Sequence, residues 1–341
     1  MQNMREVVDI DKNEIRFSKY GATEEFKRQS ASPTGIVTSE LKSKARTGIG
    51  RTLEIPVIVG RDYPVQNVSQ PLIVTDTANT SQMVAITAVD YYCGWREYPA
   101  QYANSEITRQ RDFNRKMKGF AKSIKTMIEA RCLSVLEANK TQVLNDTLGG
   151  RYSIVGGTVI APWEEREYFM GDIDVLCEGN DYPAAPNIIG NLSTDSHIRT
   201  VLGELRTYNE KTKTYQYENK KFECSKQLAN ATGHRATMFA VQDDCLGFMQ
   251  QQSRDCLMKS KTHNYVWDTD YIEMFGLEMG VMQYDAAVDG TGLAGAATAD
   301  MTATKMLAFG LHTRIFIFTT WSSDLATKAN PIMKVALANA V

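Results

Sequence analysis

The chain has 341 residues, 43% hydrophobic and 23% charged, and its 38 lysines and arginines nearly balance 40 aspartates and glutamates, for a formal net charge of -2. This composition suits one large or two ordinary folded domains and excludes a disordered or collagen-like chain. It also excludes a molecule held on nucleic acid by its overall field, so any such contact must be local.

From Met1 to Phe17, charged residues (Arg5, Glu6, Asp9, Asp11, Lys12, Glu14) interrupt the apolar ones, which leaves no apolar core for a signal peptide. Residues 1–49 as a whole mix charge with Ser, Thr and Gly and show little apolar periodicity, so they read as an arm, partly extended. Leu53, Ile55, Val57 and Val59 then alternate with other residues in strand fashion, and Pro56 within that run points to a sheet edge. Pro71–Thr75 and Met83–Tyr92, separated by the polar stretch 76–82, read as a β-hairpin with polar residues on both faces, projecting from the body. No charge-free stretch in this region reaches the ~18 apolar residues of a membrane span.

Phe113, Met117, Phe120, Ala121, Ile124, Met127, Ile128, Cys132, Val135 and Leu136 recur at intervals of three and four. They predict one amphipathic helix over 107–144, roughly 50 to 57 Å long, which would cross the molecule as a strut. Beyond Gly149 and Gly150 the pattern is mixed. A helix carrying Ile198, Val201, Leu202 and Leu205 is expected behind the cap cluster Ser193-Thr194-Asp195. Thr237–Val241 reads as a strand feeding a short helix that opens at Asp243 and carries Leu246 and Met249. Tyr265–Tyr284 reads as aromatic-rich strand, and Arg314–Thr319 as a buried strand.

Chemistry is sparse. The six cysteines (93, 132, 177, 224, 245, 256) form no C-x-x-C pair, so each reads as a buried thiol in a reducing compartment. Gly290, Gly292 and Gly295 match G-x-G-x-x-G, but no acidic residue follows at the ribose distance, and a loop is the better reading. Glu164, Glu165, Glu167, Asp172, Asp174, Glu178 and Asp181 fit no calcium loop and read as a solvated acidic face. His197, His234, His263 and His312 are isolated. No catalytic, cofactor or metal site is expected. The one local basic patch is Arg109, Arg111, Arg115, Lys116, Lys118, Lys122 and Lys125 on the long helix, opposed by Asp112 alone. It is the candidate surface for DNA or for a neighbouring subunit.

A charged arm, a hairpin preceded by Gly50–Val57 (GRTLEIPV), one strut helix and then a mixed α/β region come in an unusual order. In that order the chain resembles the major capsid proteins of tailed bacteriophages, with the Hong Kong ninety-seven type of α+β fold. The resemblance implies an N-terminal arm at 1–49, an extended loop at 50–98, and a peripheral domain from 99–150 and 253–303 around a spine helix at 107–144. It implies an axial domain from 151–252 and 304–341. It further implies a non-enzymatic protein that assembles through pentamers and hexamers into an icosahedral shell around double-stranded DNA. The shell would form in the host cytoplasm and reside in the virion, with a portal and, in some members, scaffolding or decoration proteins as partners and no membrane. The competing expectation is a cytoplasmic α/β enzyme whose site the sequence does not display.

Overall fold

The computed structural model describes residues 20–48, 50–58, 81–97, 106–140, 147–180, 182–183, 185–201, 207–209, 214–217, 220–230, 232–251, 270–285, 307–320 and 331–339. Its helices are α1 (Gly21–Ala31), α2 (Ser39–Thr47), the spine α3 (Glu106–Ala138), α4 (Phe169–Gly179) and α5 (Leu192–Val201). The strands begin with β1 (Thr52–Ile58), β2 (Ser81–Thr87), β3 (Val89–Glu97), β4 (Ser153–Val155) and β5 (Thr158–Ala161). Next come β6 (Asn187–Gly190), β7 (Thr207–Asn209), β8 (Thr214–Tyr217), β9 (Lys220–Cys224) and β10 (His234–Val241). The last are β11 (Leu246–Gln251), β12 (Asp270–Met274), β13 (Leu277–Asp285), β14 (Leu307–Thr319) and β15 (Ile332–Ala338).

The apolar run at 314–319 belongs to β14, and its two faces feed different cores. Ile315 and Ile317 pack with the spine side chains, whereas Phe316 and Phe318 pack with Val37, Ala45, Ile86, Ala88 and Met249. Burial on both faces explains why the sequence shows no alternation there. Residues 307–312 pair with both β3 and β13, and 314–315 with both β3 and β11. It follows that β3 takes one edge of β14, while β13 and β11 share the other end to end. Gln250 staples the junction: its Nε2 donates to the Glu278 carbonyl at 3.2 Å and its Oε1 accepts from the Glu278 N–H at 3.3 Å. With β12 the result is a five-stranded sheet.

The spine helix crosses one face of this sheet and buries Met117, Ala121, Ile124, Ile128 and Cys132. Near its start, Trp95 of β3 stacks on Phe120 at 5.1 Å and on Phe309 at 5.5 Å. The helix has 33 residues, about 50 Å at 1.5 Å per residue. It closes earlier than expected: the last helical carbonyl to be capped, that of Val135, accepts both the backbone N–H of Asn139 at 3.0 Å and its Nδ2 at 2.8 Å, and the chain turns after Ala138. Residues 141–144 lie outside the described residues.

The eight-stranded sheet, in the order β4-β5-β15-β10-β6-β9-β8-β7, forms the second body. Along β10, Met238 and Ala240 face a core with Phe169, Ile173, Leu176 and Ile198 of α4 and α5, while Phe239 and Val241 face the spine core. Both faces of the central strands are therefore covered, as their near-continuous apolar sequences require.

Several expectations are corrected. Residues 20–47 are not a loose arm. They form two helices packed on the same subunit, because Ala22 and Phe26, one helical turn apart, reach the spine core. The partner of Ser81–Thr87 is Thr52–Ile58, in the register Pro56↔Met83; Pro71–Thr75 lies outside the described residues. The run at 83–92 is two strands, divided at Ala88, whose N–H donates to the Arg51 carbonyl at 2.7 Å. The hairpin stem does not stand clear of the body either: Leu53, Ile55 and Ile86 pack in the third core beside α2. No helix opens at Asp243. Asp244 adopts φ 61, and the chain turns into β11, where pairing with β14 overrides the local pattern. The cap of α5 is Asn191, whose Oδ1 accepts from the Thr194 N–H at 2.8 Å. Finally, residues 304–341 do not stay together: β14 joins the five-stranded sheet and β15 the eight-stranded one.

Candidate functional site: the two halves of the spine helix

At 100° per residue, Arg111, Arg115, Lys118 and Lys122 fall within about 60° of one line along the spine and extend over about 16 Å of its axis. Arg111, Arg115 and Lys122 are exposed and Lys118 is partly so. The other predicted members of the patch lie elsewhere. Arg109 turns to the buried Glu97, with Nε 3.3 Å from its Oε2, and Lys116 pairs with Asp112 at 2.6 Å. Lys125 continues the exposed line but is itself buried, at 5% exposure. The seven residues thus comprise a stripe of four, two that serve ion pairs beside it, and one interior cation.

Burial begins at Lys125 because α1 covers the second half of the line. Glu129, five helical turns beyond Arg111 and completely buried, meets the N-terminus of α1. Its carboxylate accepts the Ala22 N–H at 3.0 Å, the Thr23 N–H at 2.7 Å and the Thr23 hydroxyl at 2.6 Å. A helix start leaves N–H groups without intrahelical acceptors and carries partial positive charge, so a carboxylate there satisfies both deficits. Lys125 supports it by reaching Glu24 at 2.7 Å and the Phe275 carbonyl at 3.2 Å, with Nζ 4.9 Å from the centre of the Tyr20 ring. Gly21 permits the approach: a Cβ there would stand 2.8 Å from the Cys224 backbone of β9.

The rest of α1 seals a sheet edge. The outward N–H groups of β11 at Leu246 and Phe248 donate to Gln29 Oε1 at 3.0 Å and to Ser30 Oγ at 2.5 Å. Gln29 is aligned by the buried Glu25, which accepts its amide at 2.7 Å and the Arg28 Nε at 2.8 Å. Glu223 of β9 looks onto the same helix, and burial together with the charges of Glu25 and Glu24 pushes its carboxyl up to about 8. Sequence reasoning missed these four glutamates. The readable signal was Lys125 and Glu129 at i, i+4 on a helix face that continues a basic stripe, but what covers that face depends on residues a hundred positions away.

The other candidate groups serve the fold. Asp172 accepts the Tyr152 hydroxyl at 2.6 Å, Asp174 pairs with the buried Lys220 at 2.7 Å, and Glu165 lies 3.4 Å from Arg151. These contacts fasten α4 to its sheet. His197 holds the Arg166 carbonyl at 3.0 Å, and burial lowers its pKa. Burial pushes the Cys177 thiol up to about 12 and raises those of Cys132 and Cys245, so none supplies a thiolate near neutrality. Among the described residues, no three His, Cys, Asp or Glu side chains gather as a metal cage, and no helix is long and apolar enough to cross a membrane. Gly290, Gly292, Gly295, His263, Cys256 and Asp181 lie outside the described residues.

No protein-family model and no curated protein matches the sequence. Solved structures do match. Chains from Mycobacterium phage Che8 and Mycobacterium phage Adephagia superpose with a TM-score of 0.49 at 9% and 11% identity, over 87% of this chain and 87% and 90% of theirs. A chain of the cyanophage Pam1 capsid asymmetric unit superposes with a TM-score of 0.51 at 10% identity, over 87% of both chains. With nine residues in ten different, what is shared is the path of the backbone, and the chain has the α+β fold of a phage capsid protein.

Proposed function

We propose that the chain is a tailed-phage major capsid protein that assembles through pentamers and hexamers into an icosahedral shell around double-stranded DNA. The observation that carries this reading is the capsid fold itself, with a 33-residue spine laid across a sheet from whose edge a two-stranded ladder departs. Among the described residues, β1 and β2 pair only with each other, so each leaves an outer edge for a neighbouring subunit. Contacts of one such surface with a different one close into rings. In the Hong Kong ninety-seven type of fold, the five-stranded sheet and spine correspond to the peripheral domain and the eight-stranded sheet to the axial domain. Of residues 50–98, expected as the extended loop, β1 and β2 supply its ladder, while β3 belongs with the five-stranded sheet. On this division 314–319 fall on the peripheral side and 331–339 on the axial side.

In the same reading, Arg111, Arg115, Lys118 and Lys122 form the contact with packaged DNA or with an acidic face of a neighbour. Exposed cations in a line suit a polyanion, and the contact is sequence-independent and weakened by salt. The partners in this reading are a portal and, as in some members of the family, scaffolding or decoration proteins; the shell forms in the host cytoplasm and persists in the virion. Electron microscopy and sedimentation of the concentrated full-length chain test the proposal, with closed particles or five- and six-membered rings expected. A monomer or dimer at every salt and protein concentration, with phage partner proteins present, overturns it.

A further inference from the structure

Helix α1 touches both bodies of the molecule. On one side it completes the edge of β11 through Gln29 and Ser30, and on the other it abuts β9, where Tyr20 bridges to Ser225 and Gly21 lies against Cys224. Its N-terminus rests on Glu129 of the spine. The seam is crowded with carboxylates, three of which have partners. Glu129 is held by the helix N-terminus, Glu25 by Arg28 and Gln29, and Glu24 by Lys125. The fourth, Glu223, has no hydrogen-bond donor among the described residues.

We propose that α1 is a proton-dependent clasp. With Glu223 neutral the helix seats between the two sheets, and when Glu223 loses its proton to solvent the added negative charge opposes Glu24, Glu25 and Glu129 and loosens the helix. Glu223 pairs with Ile189, whose side chain lies in the spine core, so its carboxyl is on the sheet face toward the spine and α1, and the charges acting on it are Glu24, Glu25 and Arg28 from α1 and Glu129 from the spine. Strand β6, paired beside it, contributes no charged residue, and β8 pairs only with Lys220–Phe222. Arg28 is the one cation among these, and it is already engaged by Glu25 and by Asp243 at 2.8 Å.

The sign follows from linkage. The carboxyl of Glu223 titrates near 8 in the folded chain, against an ordinary value of 4.5. Stability from this group is therefore complete below the ordinary value, falls by about tenfold in the unfolding equilibrium per pH unit above it, and is fully lost past about 8. The inference does not depend on the capsid reading.

Hydrogen–deuterium exchange on the full-length protein, corrected for the intrinsic pH dependence of exchange, tests it. Protection of residues 21–31 is expected to fall by at least tenfold between pH 6.5 and 9.5, while that of spine residues 109–120 changes less than threefold. Glu223→Gln, which keeps the shape without the titration, is expected to hold the protection of 21–31 within threefold. If that variant does not fold, Glu223→Met makes the same comparison. A flat wild-type profile overturns the clasp whatever the variants do, and so does a Glu223→Gln profile that falls in parallel with the wild type.

Discussion

The two halves of the spine helix carry charged residues along one continuous line, yet the line is solvated at Arg111, Arg115 and Lys122 and interior at Lys125 and Glu129. The residue types differ less than their surroundings do. In the first half the charges meet water, where exposed ions contribute little to folding. In the second half they meet the start of α1, where a carboxylate replaces water as the acceptor for two backbone N–H groups. An identical helical phase thus serves as a surface at one end and as a joint at the other.

Removing the joint should have the largest effect. Glu129→Ala leaves the Ala22 and Thr23 N–H groups at the start of α1 without their buried acceptor and is expected to destabilise by about 1–3 kcal/mol for each stranded donor, as read by urea unfolding. Arg115→Ala, on the same line of the first half, should change the midpoint little. Comparable losses in the two variants would erase the distinction between the halves.

Separating the halves comes next. Lys122→Pro removes no buried side chain but deletes a helical hydrogen bond and clashes with the preceding turn, at a cost of about 3 kcal/mol or more. Circular dichroism near that of the wild type, together with failure to form particles, is the expected result, while Lys122→Ala assembles normally. Ordinary particles from the proline variant would mean that assembly does not need a straight spine.

A smaller loss is expected at the seat of α1. Gly21→Ala sets a methyl 2.8 Å from the Cys224 backbone, and overpacking of this kind costs about 1–3 kcal/mol. Exchange should rise in 21–31 before it rises in 109–120, and uniform acceleration would show that α1 and the spine open as one unit.

Reversing the solvated stripe should have the smallest effect on stability. Arg111→Glu, Arg115→Glu and Lys118→Glu together are expected to shift unfolding by no more than about 0.5 kcal/mol each. DNA retention, measured as the nucleic-acid content of purified particles, should fall clearly. Unchanged content would leave the stripe as a solvated helix face.

The spine was legible because its core side chains recur at three and four residues without a proline from Phe113 to Leu136, and no packing partner is needed to read that period. The buried strand at 314–319 was legible from its unbroken apolar run. The strand at Leu246–Gln251 was not, because its short segment fits a helical spacing equally well and only pairing with β14 decides between the two. The arm failed for a related reason. Ala22 and Phe26 are too few to mark an amphipathic helix, and most of what holds α1 is polar and distant: Glu129, Asp243 and the edge of β11.

By itself, the sequence determined the long helix, the α+β class, the strand periodicity around Pro56 and the basic residues in helical phase. Each of these is written in neighbours within a few turns or a few strand residues. Tertiary structure alone decided which strands share a sheet, that residues 20–47 close onto the body, and where the basic line stops being surface. Those outcomes depend on contacts between residues about 100 to 250 positions apart, such as Thr23 with Glu129 and Lys27 with the Gly276 carbonyl at 2.8 Å. A buried carboxylate or an edge N–H is satisfied by whichever group the folded chain brings to it, and local periodicity carries no record of that group.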